Sequence, residues 1–149
     1  MLEDKLEQDI KSALLAKDTL KLTTLRGLKA VILNEKVAKN KRESGLSDDE
    51  VIVLLSKEAK KRQESADLYL QGNNKEKADL ELKEKTFIED YLPEQMSREE
   101  ISNLVDKIIN ENNYSGLNNL GPVIAKVKSS AGPGADGSLI AQIAKVKLS

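Results

Sequence analysis

The chain has 149 residues, no Cys and no His, and 24 basic against 25 acidic side chains for a net charge of −1. That length suits one domain, or a domain with a small appendage, and a core of this size needs no disulfide or structural metal. The missing Cys and His exclude thiolate and imidazole metal sites, a Cys nucleophile, a His-based triad and a redox pair. The even charge balance excludes a uniformly basic nucleic-acid binder, so any basic site must be local.

The longest apolar run is the five residues Val51 to Leu55, far below the roughly 20 that a membrane span requires. The start Met1-Leu2-Glu3-Asp4 lacks the basic and apolar regions of a signal peptide, so a cytoplasmic protein without membrane contact is expected. Phe87, Tyr69, Tyr91 and Tyr114 are too few for the stacking platforms of sheet-type single-strand readers.

In chain order, Leu2, Leu6, Ile10, Ala13 and Leu14 recur at helical spacing, and Asp18 can cap a second helix running to about Lys39. The apolar residues of that second helix, among them Leu25, Leu28, Ile32, Leu33 and Val37, point in nearly every direction, which predicts contacts on several sides. Gly27 in its middle costs about 1 kcal/mol relative to Ala, and close helix approach would explain it. Seven basic residues lie between Lys21 and Arg42 against Glu35 alone; they form no single stripe and suit a solvated surface better than a binding face.

Ser47-Asp48-Asp49-Glu50 is a capping box that opens a third helix, carrying Ile52, Leu55, Ala59, Ala66, Tyr69 and Leu70 until Gly72. After Asn73-Asn74, Leu80, Phe87, Ile88 and Tyr91 mark a fourth helix that closes at Leu92-Pro93, giving a long antiparallel hairpin. Arg62 and Glu84 interrupt the apolar faces of its two arms at equal distance from Asn73. Antiparallel packing then sets them opposite one another, because a guanidinium leaving water should find a carboxylate. Glu58 and Glu81 are the nearby competitors. A pair that fixes helix register is the favoured role, and a ligand-binding Arg the other.

Pro93 to Ser97 is the best domain boundary, dividing an N-terminal helical domain, 1–93, from a C-terminal one, 97–149. Ser97-Arg98-Glu99-Glu100 opens a fifth helix with Ile101, Leu104, Val105, Ile108 and Ile109 on one stripe. Asn119 can cap a short helix through Ser129, with Pro122 in its first turn, and Asp136 can cap a last helix carrying Leu139, Ile140, Ile143, Val146 and Leu148. No segment has strand alternation. The fold class is all-α, with a hairpin-bearing N-terminal part and a C-terminal three-helix bundle.

Gly132-Pro133-Gly134-Ala135-Asp136-Gly137 matches GxGxxG in letters only. The dinucleotide motif needs a preceding strand and an acidic residue about 20 positions later, and a loop with a helix cap suits this place better. No cofactor, metal site or catalytic constellation is expected. From Gly116 onward the chain is net +3, and Lys126, Lys128, Lys145 and Lys147 could meet a nucleic-acid backbone or simply be solvated.

Leu25-Arg26, Leu28-Lys29, Lys60 to Ser65, the close at Tyr91-Leu92-Pro93-Glu94-Gln95, Gly121, Val123-Ile124, and Ala135-Asp136-Gly137 before a terminal amphipathic helix follow one another in an order that resembles the YqeY family. That family is similar to the tail of the B subunit of the glutamine-dependent aspartyl/glutamyl-tRNA amidotransferase, a carbon–nitrogen ligase. The resemblance covers essentially the whole chain. It implies an all-helical protein with a C-terminal three-helix YqeY domain, and a tail that holds tRNA without catalysing amide transfer itself. Pro122, Gly134 and Asn73 stand where relatives often carry basic residues, so three candidate phosphate contacts of the family are absent. A non-catalytic accessory protein binding tRNA or a tRNA-amidation complex is therefore expected, the alternative being a helical protein-interaction module.

Overall fold

The computed structural model describes residues 1–149, the side chain of Pro133 excepted. Seven α-helices and two 3-10 turns, with no strand among the described residues, make the chain all-α. It divides into two compact units, Met1–Leu92 and Pro93–Ser149.

The first unit holds α1 (Leu2–Leu15), α2 (Thr19–Ala38), α3 (Asp48–Gln71) and α4 (Lys75–Glu89). Side-chain caps start α2, α3 and α4. The Asp18 carboxylate accepts from the Lys21 N–H at 3.2 Å and opens α2. Ser47 and Glu50 close the reciprocal capping box of α3. The Glu50 carboxylate also receives Lys41 at 2.9 Å and Lys39 at 3.3 Å. Lys41, the Ser47 N–H and Lys39 together hold its carboxyl down to about 2, against the opposing effect of burial. Left-handed Asn73 turns the chain after α3, and Asn74 caps α4 through the Lys77 N–H.

The core of this unit joins Leu6 of α1, Leu25, Leu28 and Ile32 of α2, Val51, Leu55 and Ala59 of α3, and Ile88 with Tyr91 at the end of α4. The second helix buries one face only. Leu33 and Val37 remain 45% and 54% exposed, against the expectation of contacts on several sides, because α1, α3 and α4 all approach α2 from the same half of its circumference. Gly27 lies on the open side, with nothing within 4 Å of where its Cβ would stand; close helix approach does not explain it. Leu80 is exposed as well. It precedes Ile88 by two turns, where the core has ended and Ala78 is the buried residue.

Tyr91 ties the first helix to the last. Its ring is buried, its hydroxyl donates a hydrogen bond to Asp9 Oδ2, and Lys5 Nζ lies 4.9 Å from the ring centroid. Burial first, and the Asp9 bond second, push the phenol far above its ordinary value, so it stays a donor.

The second unit holds α5 (Arg98–Asn112), a 3-10 turn at Leu117–Asn119, α6 (Leu120–Ala131), a second at Gly132–Gly134, and α7 (Gly137–Leu148). Ile101, Val105 and Ile108 of α5 meet Val123 and Val127 of α6 and Ile140, Ile143, Ala144 and Leu148 of α7. Ser97 caps α5 through the Glu100 N–H, and Asp136 caps α7 through the Ser138 N–H at 3.0 Å. Asn119 occupies the N-cap position of α6 without capping by its side chain. The preceding 3-10 turn redirects its amide to the Ser115 carbonyl at 2.6 Å.

Two substitutions check this account. Gly27→Ala should raise the unfolding free energy by about 0.5–1 kcal/mol, since the site is helical and open, as read by urea denaturation. Tyr91→Phe should lower it by about 1–2 kcal/mol, leaving Asp9 without its donor.

Candidate nucleic-acid interface

The four C-terminal lysines have different surroundings. Lys126 on α6 donates to Asn112 Oδ1 of α5 at 2.7 Å, with its ammonium 5.5 Å from the Tyr114 ring centroid. Lys147 on α7 is paired with Asp106 of α5 at 2.8 Å, its side chain only 27% exposed. Lys128 lies across the start of α7, its Cε 3.0 Å from where a Cβ of Gly137 would stand. Lys145 is exposed on the last turn of α7. Three of the four occupy last helical turns, Lys128 on α6 and Lys145 with Lys147 on α7, where a cation complements the helix dipole. Lys126, Lys128 and Lys145 thus keep ammonium groups without a carboxylate within 4 Å among the described residues.

The basic run of the N-terminal unit is largely consumed in ion pairs. Lys29 meets Glu7 at 2.6 Å and Lys36 meets Glu3, joining α2 to α1. Lys39 and Lys41 converge on Glu50 at the start of α3. The first two pairs cross between helices, and Lys39 and Lys41 reach Glu50 from the segment after α2; spacing along one helix does not reveal these partners. A cavity of about 300 Å³ lies between α1 and α2 over Leu6, Ile32 and Leu33, rimmed by Glu3, Asp4, Glu7, Lys29 and Lys36.

Arg62 and Glu84 stand together in the α3–α4 hairpin, Nε to Oε2 at 3.1 Å, with side chains 29% and 21% exposed. The pair has ion-pair distance without hydrogen-bond direction. Arg62 Nε is buried and bonded to no acceptor. Glu58, the expected competitor on α3, is taken by Lys61 at 3.1 Å. Glu81 keeps a buried Oε2 without a partner. Burial raises the Glu84 carboxyl from its ordinary value; Arg62 opposes the rise, and Glu81 adds to it.

The glycine-rich loop closes the three-helix unit. Met96 N–H donates to the Gly134 carbonyl at 2.7 Å, and a Cβ on Gly134 would stand 3.0 Å from the Glu94 carbonyl oxygen. Gly132 has φ 69° and ψ −157°, a region essentially reserved for glycine. Close approach and backbone angle thus account for these glycines. No helix of the described residues is long and apolar enough to cross a membrane.

The sequence model of the family described as "Yqey-like protein" matches residues 3–148. Among curated proteins, "Altered inheritance of mitochondria protein 41, mitochondrial" from Vanderwaltozyma polyspora is 32% identical over 108 residues, which is 71% of this chain and 57% of that protein. The chain therefore spans little more than half the length of this relative.

Gly132→Ala should cost about 1–3 kcal/mol through its backbone angle alone. Thermal unfolding followed by amide signals of α6 and α7 reads this as a loss confined to the C-terminal unit.

Proposed function

Because the chain belongs to the YqeY-like family, we propose that it is a non-catalytic accessory protein that binds tRNA, or a tRNA-amidation complex, through its C-terminal three-helix unit. The observation that supports this reading is the set of ammonium groups of Lys126, Lys128 and Lys145, free of carboxylate partners while Lys147 is spent on Asp106. Lysines bind phosphates as point charges and read backbone shape rather than bases. We take its compartment to be the cytoplasm; the name of the relative assigns that protein to mitochondria.

A salt series of binding to total tRNA, with an unrelated duplex RNA as competitor, tests the reading. Replacing Lys126, Lys128 and Lys145 together with Ala should weaken binding and flatten the salt slope by about 0.7–0.9 for each phosphate that is no longer neutralised. Lys147→Ala should leave the slope nearly unchanged. Unchanged binding by the triple variant would eliminate this surface, and no binding by the parent protein at low salt would eliminate tRNA. The second reading, a protein-interaction module, is favoured by the α1–α2 cavity with Leu33 half exposed on it. It calls for association that salt leaves unaltered.

A further inference from the structure

Tyr114 is the one aromatic residue of the C-terminal unit. Asn113, in the left-handed region at φ 54°, ends α5, and the Tyr114 N–H closes that end on the Ile109 carbonyl at 3.0 Å. The backbone thus fixes where the side chain starts. The ring lies partly buried against the three-helix core, with the Lys126 ammonium 5.5 Å from its centroid.

The segment around the ring is polar and nearly uncharged. Between Asn110 and Asn119 stand five asparagines and Ser115, with Glu111 as the one charged residue. Glu111 lies 4.0 Å from Lys107 along α5. Asn112 is occupied: its amide donates to the Ile108 carbonyl at 2.8 Å and its Oδ1 accepts from Lys126 at 2.7 Å. Asn119 donates to the Ser115 carbonyl. Asn113, Ser115 and Asn118 are exposed and offer two amides and a hydroxyl to solvent. An aromatic ring, an ammonium over it and neutral hydrogen-bonding groups nearby match the parts of an unpaired nucleotide, which are a base face, a phosphate and a base edge.

We infer that Tyr114 and Lys126 together seat one unpaired nucleotide of RNA, the ring stacking on the base and the ammonium meeting its phosphate. This rests on the reading of the C-terminal unit as RNA-binding and narrows it, because Lys126 answers to any phosphate whereas Tyr114 selects single-stranded over paired RNA. In the free protein the ammonium covers the ring. Its flexible four-carbon stem lets it move to a phosphate, and the base that replaces it makes the stronger contact with the ring. A paired base is already stacked within its helix and leaves no face for Tyr114. One ring serves one base, so the scarcity of aromatics that excludes a stacking platform does not exclude this seat.

Two RNA duplexes of the same sequence, one blunt and one with a short unpaired 3′ tail, test the inference when each is titrated with the full chain. The tailed duplex should bind more tightly, and Tyr114→Leu should remove about tenfold of that affinity while leaving the blunt duplex and the salt slope unchanged. Tyr114→Phe should bind as the parent does. Lys126→Gln should lower the salt slope on the tailed duplex by about 0.7. Ring-proton NMR of the parent protein reads the stack itself: of the three tyrosines, Tyr114 alone should shift upfield on adding the tailed duplex. A parent protein that does not distinguish the two RNAs, a Tyr114→Leu variant that weakens both equally or neither, or an unmoved Tyr114 ring would overturn the inference and leave the lysine reading standing. No binding of either RNA would overturn both. The ring signals come from the parent protein, so the test survives a Tyr114→Leu variant that fails to fold.

Discussion

The one-sided burial of α2 governs the N-terminal unit. Leu25, Leu28 and Ile32 fall on one face and enter the same core as Val51, Leu55 and Ile88, which requires α1, α3 and α4 to gather on that side. With four aromatic residues in the chain, the core is filled by aliphatic side chains, whose contacts are numerous and non-directional. Direction is added by polar contacts at the margins: Glu7 and Glu3 take the lysines of α2, Glu50 gathers Lys39 and Lys41, and Tyr91 reaches Asp9. The lysine pairs bridge consecutive segments, and Tyr91 brings the end of α4 back to α1. Individually such exposed pairs are weak; their effect is to choose one register among several that apolar packing alone would tolerate.

Much of this is legible from residues. Ser47 with Glu50 and Ser97 with Glu100 set helix starts because capping is local chemistry, decided within four residues. Helical period likewise identifies Leu25, Leu28, Ile32, Ile101, Val105 and Ile108. Period fails where the number of neighbours matters. Leu33, Val37 and Leu80 continue an apolar pattern that no other helix covers, and Gly27 resembles a contact glycine while facing solvent. Asn119 has the residue type of a cap and does not act as one, because a 3-10 turn ahead of α6 offers its amide a carbonyl first. The fate of the lysines is hidden for the same reason as the α2 pairs: Asp106 and Asn112 come from α5, well away in sequence.

The segments that carry the family resemblance have structural duties visible in this chain. Tyr91 holds the end of α4 to α1, Asp136 caps α7, and Gly137 passes beneath Lys128. Such segments identify a fold well because substitution there breaks a specific contact, and for that reason they say little about ligands. The functional signal has to come from groups without a structural duty. Lys126 is partly committed to Asn112 and Tyr114, and Lys128 to the start of α7; Lys145 alone is simply exposed.

That shortage of free charge bears on how such a protein could act. At about 0.9 counterions released per phosphate contact, three lysines support a much smaller electrostatic gain than the roughly six to ten contacts of autonomous nucleic-acid binders. Affinity of that size suits a module whose encounter with RNA is completed by another component, where holding both partners converts weak contacts into an effective local concentration. Under the proposed tRNA reading, a unit this small, with one cation neutralised by Asp106 and two others resting on neighbouring helices, would contribute a few phosphate contacts rather than a complete binding site.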